Sequence, residues 1–218
     1  MPRPILYDYW RSSASYRVRI ALNLKGVDYE SRQVDLRKDE QRSGEYRALN
    51  PQGFVPMLAI DGHRLTQSLA IINYLDLRFP IPPLLPASAA ERAHVVAMAM
   101  ATACDIHPLD NLRVLLYLKK DMGQPQEAVD RWYAHWIEEG LSALEAMAAP
   151  TAGKFLFGDA PTGADVCLIP QLYNARSRTS LSLDAFPTLL RAEDNANAME
   201  AFAAAHPDRQ DSGQEKVQ

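Results

Sequence analysis

The sequence predicts an α/β domain of element order β-α-β-α-β-β-α followed by an all-α domain. Three observations lead there. Before residue 79, short apolar runs of strand length alternate with segments whose apolar residues recur at helical spacing. The stretch FPIPPLLPAS at 79–88 holds Pro80, Pro82, Pro83 and Pro86, and disfavours both helix and central strand. Beyond it no convincing strand occurs, and helical periodicity dominates. The resulting division is a first domain at 1–79, a linker at 80–88, a helical domain at 89–210 and a polar, disordered tail at 211–218.

Each element has its own signal. Pro4 to Tyr7 is short and apolar, as a strand requires. From Ser15 to Lys25, Val18, Ile20, Ala21, Leu22 and Leu24 form a helical stripe, with Gly26 suited to the C-terminal cap. Tyr29 to Leu36 alternates as a strand, and a polar stretch follows. Phe54–Ile60 and His63–Thr66 flank Asp61-Gly62, a pair whose tolerance of positive φ favours a tight hairpin. Leu69, Ile72, Leu75 and Phe79 mark a helix at 68–78 with Ser68 as its N-cap. In the second half, 87–118 is rich in Ala, Met and Leu. Val129, Trp132, Trp136, Ile137, Leu141 and Leu144 form a stripe along 127–147. Thr162 and Asp165 have capping-box spacing, and a last helix fits 195–205.

Composition narrows the function. The chain has 218 residues, of which 47% are hydrophobic, enough to exclude wholesale disorder. Its 23 Lys and Arg against 27 Asp and Glu give a net charge of −4, which argues against nucleic acid as the main partner. The only cysteines, Cys104 and Cys167, lie in apolar flanks and are predicted to be buried, reduced thiols; no metal-ligand spacing is present. The longest mostly apolar stretch, Val95–Cys104, is about half a membrane span, and Asp8 and Arg11 interrupt any signal-like run. The reading is a cytoplasmic protein without membrane or metal partners.

Five motifs carry a resemblance: RSSASYRVRIALNLKGVDYE at 11–30, ALNPQGFVPML at 48–58, LTQSLAIINYL at 65–75, CDIHPLDNLRVLLYL at 104–118 and GDAPTGADVCLIPQ at 158–171. In order and spacing they resemble the zeta class of glutathione transferases, which includes maleylacetoacetate and maleylpyruvate isomerases. The likeness spans about residues 1–210. It implies a thioredoxin-like first domain, a helical second domain, glutathione as cofactor, a small dicarboxylate substrate and a homodimer.

The resemblance also distributes roles. Ser12 matches the serine that activates the glutathione thiolate. A hydroxyl at a helix N-terminus lowers a thiol pKa from its reference of ~8.5. Ser13 and Ser15 share that loop and are implied to bind glutathione with it, whereas Ala14 stands where the family usually has Cys. That departure removes the cysteine that dehalogenating relatives use. Val55, before a proline that is cis in this family, would pair its backbone with the cysteinyl part of glutathione. Gln67 and Ser68 would meet the γ-glutamyl carboxylate at a helix N-terminus. Gln41, His107 and Asn111 are further implied glutathione contacts, with His107 and Asn111 predicted one turn apart on one helical face, and Arg113 is an implied contact of either glutathione or the substrate carboxylates. Arg11 and Arg176 match arginines that would grip substrate carboxylates through their planar forks. Asp110 replaces an Asn common in bacterial relatives. Arg17 and Arg19, in the first motif, are read as structural or surface charges.

Overall fold

Ile5–Asp8 forms β1 and leads through a short loop into α1, Ser13–Leu24. Then follow β2 (Glu30–Gln33), α2 (Gly44–Leu49), the hairpin β3 (Met57–Ile60) and β4 (His63–Thr66), and α3 (Ser68–Arg78). The computed structural model describes residues 2–210; the tail expected at 211–218 lies outside them. The strands form one sheet in the order β2-β1-β3-β4, with β1 and β2 parallel and β3 antiparallel to both its neighbours. The order inferred from the sequence is thus the observed one. Asp61 and Gly62 take φ of 52° and 81° at the hairpin turn. Two 3₁₀ turns, Leu36–Lys38 and Glu40–Arg42, occupy the polar stretch after β2.

Register decides where this unit can act. Tyr7 pairs with Met57, and Met57 with Thr66. The loop after β1, the segment before β3 and the start of α3 after β4 therefore emerge at one end of the sheet. Parallel β2 delivers the 36–42 turns to the same end.

The interior is held by apolar residues such as Leu6, Val18, Leu58, Ile71 and Leu75, and by two buried ion pairs. Arg19 Nη1 donates to both Asp8 carboxylate oxygens at 2.8 and 2.9 Å, while its Nε and Nη2 reach the Ala205 and Trp10 carbonyls. Lys25 Nζ pairs with Asp76 at 2.7 Å.

The described residues divide into two units: 2–83 together with 198–210, and Leu84–Asn197. The boundary falls within the proline-rich segment. The return of the C-terminal stretch to the first unit differs from the sequence reading. It rests on α1 side chains reaching carbonyls: Arg19 to Ala205, and Asn23 Nδ2 to Ala201 at 2.9 Å, beside α10 (Glu200–Ala203).

The second unit comprises α4 (Ala89–Met100), α5 (His107–Asp110), α6 (Leu112–Leu116), α7 (Gln126–Ala148), α8 (Gly163–Arg178) and α9 (Pro187–Asn197), with π-helical turns at 101–106 and 117–121. Tyr133 joins Val129, Ile137, Leu141 and Leu144 on the buried stripe of α7, and Trp132 and Trp136 sit half-buried beside it. Gly140 lies within that helix where a Cβ would collide with the Ile106 side chain, so its lack of a side chain lets the 101–106 turn pack against α7. Asp165 closes the expected capping box. Its Oδ2 accepts from the Thr162 N–H and hydroxyl at 2.8 and 2.9 Å, and its Oδ1 from Leu156 N–H at 2.9 Å.

Two expectations fail here. The last helix does not run over 195–205; α9 begins at Pro187, whose fixed φ suits a first helical turn, and the chain breaks before α10. Cys167 is buried but Cys104 is exposed, because the 101–106 π-turn rotates it away from the packed face that Thr102 and Ile106 occupy.

Candidate functional site

The loop after β1 is built around Ser12. It is the N-cap of α1, and its Oγ accepts the Ser15 amide hydrogen at 3.2 Å. The hydroxyl proton is not used in that bond, so Ser12 can donate it to an anion at the helix start. Ser13 and Ser15 are buried, and Ser15 Oγ is shut inside the packing with no hydrogen-bond partner. Arg11 is exposed, with its guanidinium carbon 5.3 Å from the centroid of the Trp10 ring.

The segment before β3 is pinned from behind. The Phe54 carbonyl accepts from Tyr46 Oη and from Asn50 Nδ2, both at 2.7 Å. Burial pushes the Tyr46 phenol well above its ordinary pKa of 10.0, which keeps it a donor. Val55, 8% exposed, packs with Val34 and Tyr46, and its bond to Pro56 is cis. Among the described residues, neither the N–H nor the C=O of Val55 enters a backbone hydrogen bond. That is the arrangement of a strand edge open to one more extended chain.

Gly53 lets this loop meet the 40–42 turn. It has φ of 64°, and a Cβ there would stand 2.9 Å from the Gln41 carbonyl oxygen. Gln41 itself is half-buried, with Nε2 on Asp39 Oδ1 at 3.2 Å and Oε1 buried without a partner.

At α3 the structure corrects the predicted cap. Gln67 is the N-cap, at φ 67° and ψ 115°, and Ser68 is the first helical residue. A non-glycine residue at such a φ costs about 1–3 kcal/mol and is found mainly where a site requires it. Gln67 Nε2 donates to Gln52 Oε1 at 3.0 Å and gives the helix no side-chain cap. The first α3 amides and the partial positive charge of the helix start are therefore left without a side-chain cap, a setting suited to a carboxylate. Ser68 Oγ accepts instead from Arg17 Nη1 at 3.5 Å.

The remaining candidates lie in the second unit. His107 belongs to α5, but Asn111 leaves the helix at φ −67° and ψ 142°, and its Oδ1 caps α6 by accepting the Arg113 amide hydrogen at 3.1 Å. The predicted shared face of His107 and Asn111 is thereby lost, because the asparagine side chain competes with the helix for that amide. Arg113, on α6, is exposed. This stretch is anchored by Trp132 Nε1 on the Leu109 carbonyl at 2.8 Å, and by Gln171 Nε2 on Asp110 Oδ2 at 2.6 Å. Arg176, near the end of α8, binds Glu193 of α9 with Nη2–Oε2 at 2.5 Å and Nε–Oε1 at 3.2 Å. That contact raises its pKa further and fixes the plane of its fork.

The sequence motifs did not single out Tyr46 and Asn50, which hold the Phe54 carbonyl before Val55, or Gln52, which accepts from Gln67. The sequence reading also places Arg17 and Arg19 together as structural or surface charges. Both are buried, and only Arg19 meets a carboxylate.

Residues 3–77 match the family model for the N-terminal domain of glutathione S-transferases, and residues 126–205 match that for the C-terminal domain. The maleylacetoacetate isomerase of Rhizobium meliloti is 50% identical over 206 residues, covering 94% of this chain and 96% of that protein. A solved holo structure of maleylpyruvate isomerase, described as a bacterial zeta-class enzyme, superposes with a TM-score of 0.91 at 44% identity, covering 94% of this chain and 98% of that one. The chain belongs to the zeta class of the glutathione S-transferases. Another similar protein is the maleylacetoacetate isomerase of Anaeromyxobacter dehalogenans 2CP-1, solved with dicarboxyethyl glutathione and citrate bound. It has a TM-score of 0.86 and 43% identity, and covers 97% of this chain and 98% of that one. Within this transferase, no helix among the described residues is long and apolar enough to cross a membrane.

Proposed function

We propose that this chain is a glutathione-dependent cis–trans isomerase acting on maleylacetoacetate, a conjugated keto acid carrying carboxylates. The observation that carries the reading is the convergence, at one end of the sheet, of a serine with a spare hydroxyl proton, an unpaired Val55 backbone and an uncapped helix start. These match the three demands of glutathione: a thiol, a peptide unit and a carboxylate.

When bound, glutathione supplies a thiolate that adds reversibly to the cis double bond, so that the bond can rotate before the sulfur leaves unchanged. The chain's own residues do the rest. Ser12 donates a hydrogen bond that favours the thiolate, worth ~1.4 kcal/mol per pKa unit of lowering. Val55 N–H and C=O align the cysteinyl unit, and the α3 amides with Ser68 and Gln67 take the γ-glutamyl carboxylate. Ser13, Ser15 and Gln41 shape these two segments, with Ser15 acting through its amide. His107, Asn111 and Arg113 are further contacts for glutathione, drawn from the family motif. Arg11 and Arg176 bind the substrate carboxylates, and Glu193 holds the Arg176 fork in plane. Fixing both reactants lowers the entropic part of the barrier. The protein is proposed to work as a cytoplasmic homodimer, which sedimentation of the purified chain tests.

Maleylpyruvate is the second reading for the substrate, favoured by the 0.91 TM-score to a maleylpyruvate isomerase. Ultraviolet assays of the two keto acids side by side separate them. A higher kcat/KM on maleylacetoacetate supports the first reading, and the reverse order supports the second.

A further inference from the structure

Three cationic side chains are buried among the described residues: Arg17, Arg19 and Lys25. Arg19 is neutralised by Asp8 and Lys25 by Asp76. Arg17 is 1% exposed and has no carboxylate partner among the described residues. Its one hydrogen bond is Nη1 to Ser68 Oγ at 3.5 Å, and Nε and Nη2 have no partner.

Burying an unpaired charge is costly, and the location adds to the cost. The guanidinium points at the first residue of α3, an 11-residue helix whose start is itself partially positive. Helix starts commonly recruit Asp or Glu into the first turn; α3 has none there. Two positive sources thus meet at one place, where, among the described residues, Arg17 has no ion pair and the first turn of α3 has no carboxylate. The hydrogen bond adds a direction: because Ser68 Oγ accepts from Arg17, the Ser68 hydroxyl proton must point elsewhere, and acceptance from a cation makes it a stronger donor.

We propose that Arg17 is a positioning residue for glutathione binding, its buried charge left for a ligand carboxylate to neutralise through Ser68 and the α3 amides. The inference rests on the glutathione reading above. It predicts that the chain gives up stability in the empty state in return for affinity, so that the two respond to Arg17 in opposite senses.

The test compares the full-length wild type with Arg17→Met, similar in length but uncharged, and with Arg17→Lys. Thermal unfolding is recorded without ligand, glutathione binding by calorimetry, and KM and kcat with glutathione varied. Arg17→Met is expected to unfold, without ligand, at a temperature equal to or above the wild type. It should bind glutathione at least tenfold more weakly, with the loss in KM for glutathione and kcat at saturation within about twofold. Arg17→Lys should recover part of the affinity. In Ser68→Ala the further loss from Arg17→Met should shrink, because the two side chains act in series. An Arg17→Met chain that fails to fold, or unfolds at a clearly lower temperature, would overturn the proposal, as would unaltered glutathione affinity. A wild type that does not bind glutathione would overturn the cofactor reading and this inference together. Wild-type binding with an indifferent Arg17→Met overturns this inference alone.

Discussion

Ser12 Oγ receives the Ser15 amide hydrogen at 3.2 Å, so one hydroxyl both caps α1 and keeps its own proton for a second partner. The two roles can be separated by substitution. Ser12→Ala loses both, and should cost about 1 kcal/mol of stability as a lost cap while lowering turnover and raising the pKa of bound glutathione. Ser12→Asp retains a capping oxygen but, ionised, has no proton to donate. It should recover the stability and leave the thiol pKa raised, as read by titrating thiolate absorbance in the ultraviolet.

Tyr46 and Asn50 both donate to the Phe54 carbonyl, next to the residue whose backbone is proposed to meet glutathione. Tyr46→Phe removes one donor and should cost about 1 kcal/mol of stability. If that carbonyl sets the alignment of Val55, KM for glutathione should rise while kcat at saturation changes less. Steady-state kinetics with glutathione varied checks this.

Arg19 and Asp8 make a fully buried pair. Arg19→Met leaves the Asp8 carboxylate buried and alone, and should destabilise by about 3–5 kcal/mol. Asp8→Leu combined with Arg19→Met removes both charges and should recover part of that loss, despite the stranded Ala205 and Trp10 carbonyls. Chemical denaturation of the two variants measures the difference.

Local chemistry made much of this fold legible in the sequence. Asp61-Gly62 specifies its hairpin, and Thr162 with Asp165 specifies the start of α8, because those residues act on their immediate neighbours. What escaped depends on partners distant in the chain. The 198–210 stretch returns to the first unit because Arg19 and Asn23 reach its carbonyls, and backbone acceptors leave no mark on sequence. The break at Asn111 came from a side chain competing for an amide that helical spacing alone assigns to the helix. In the site, motif resemblance named Ser12, Val55 and Ser68. That Ser68 is the first helical residue rather than the cap, and that Arg17 rather than Arg19 lacks a carboxylate, are properties of three-dimensional neighbours.

Arg176 is the substitution that tests substrate recognition. Its Nε and Nη2 engage Glu193. Arg176→Ala should lower kcat/KM for the keto acid roughly ten- to hundredfold, the worth of a charged hydrogen bond to a carboxylate. Glutathione affinity should be unchanged. Arg176→Lys should recover only part, since an ammonium has no planar fork. Glu193→Gln should raise KM for the keto acid by a smaller factor, through a less fixed guanidinium.

In the proposed reaction the attacking sulfur belongs to glutathione and not to the protein. Neither Cys104 nor Cys167 lies in the Ser12 loop, and Ala14 occupies the place of the family cysteine. The direct measurement is the ultraviolet rate of maleylacetoacetate isomerisation by a Cys104→Ala, Cys167→Ala chain, with and without glutathione. Turnover near that of the wild type is expected when glutathione is present, and only the uncatalysed rate when it is absent. Undiminished isomerisation in glutathione-free buffer would contradict that assignment of the sulfur.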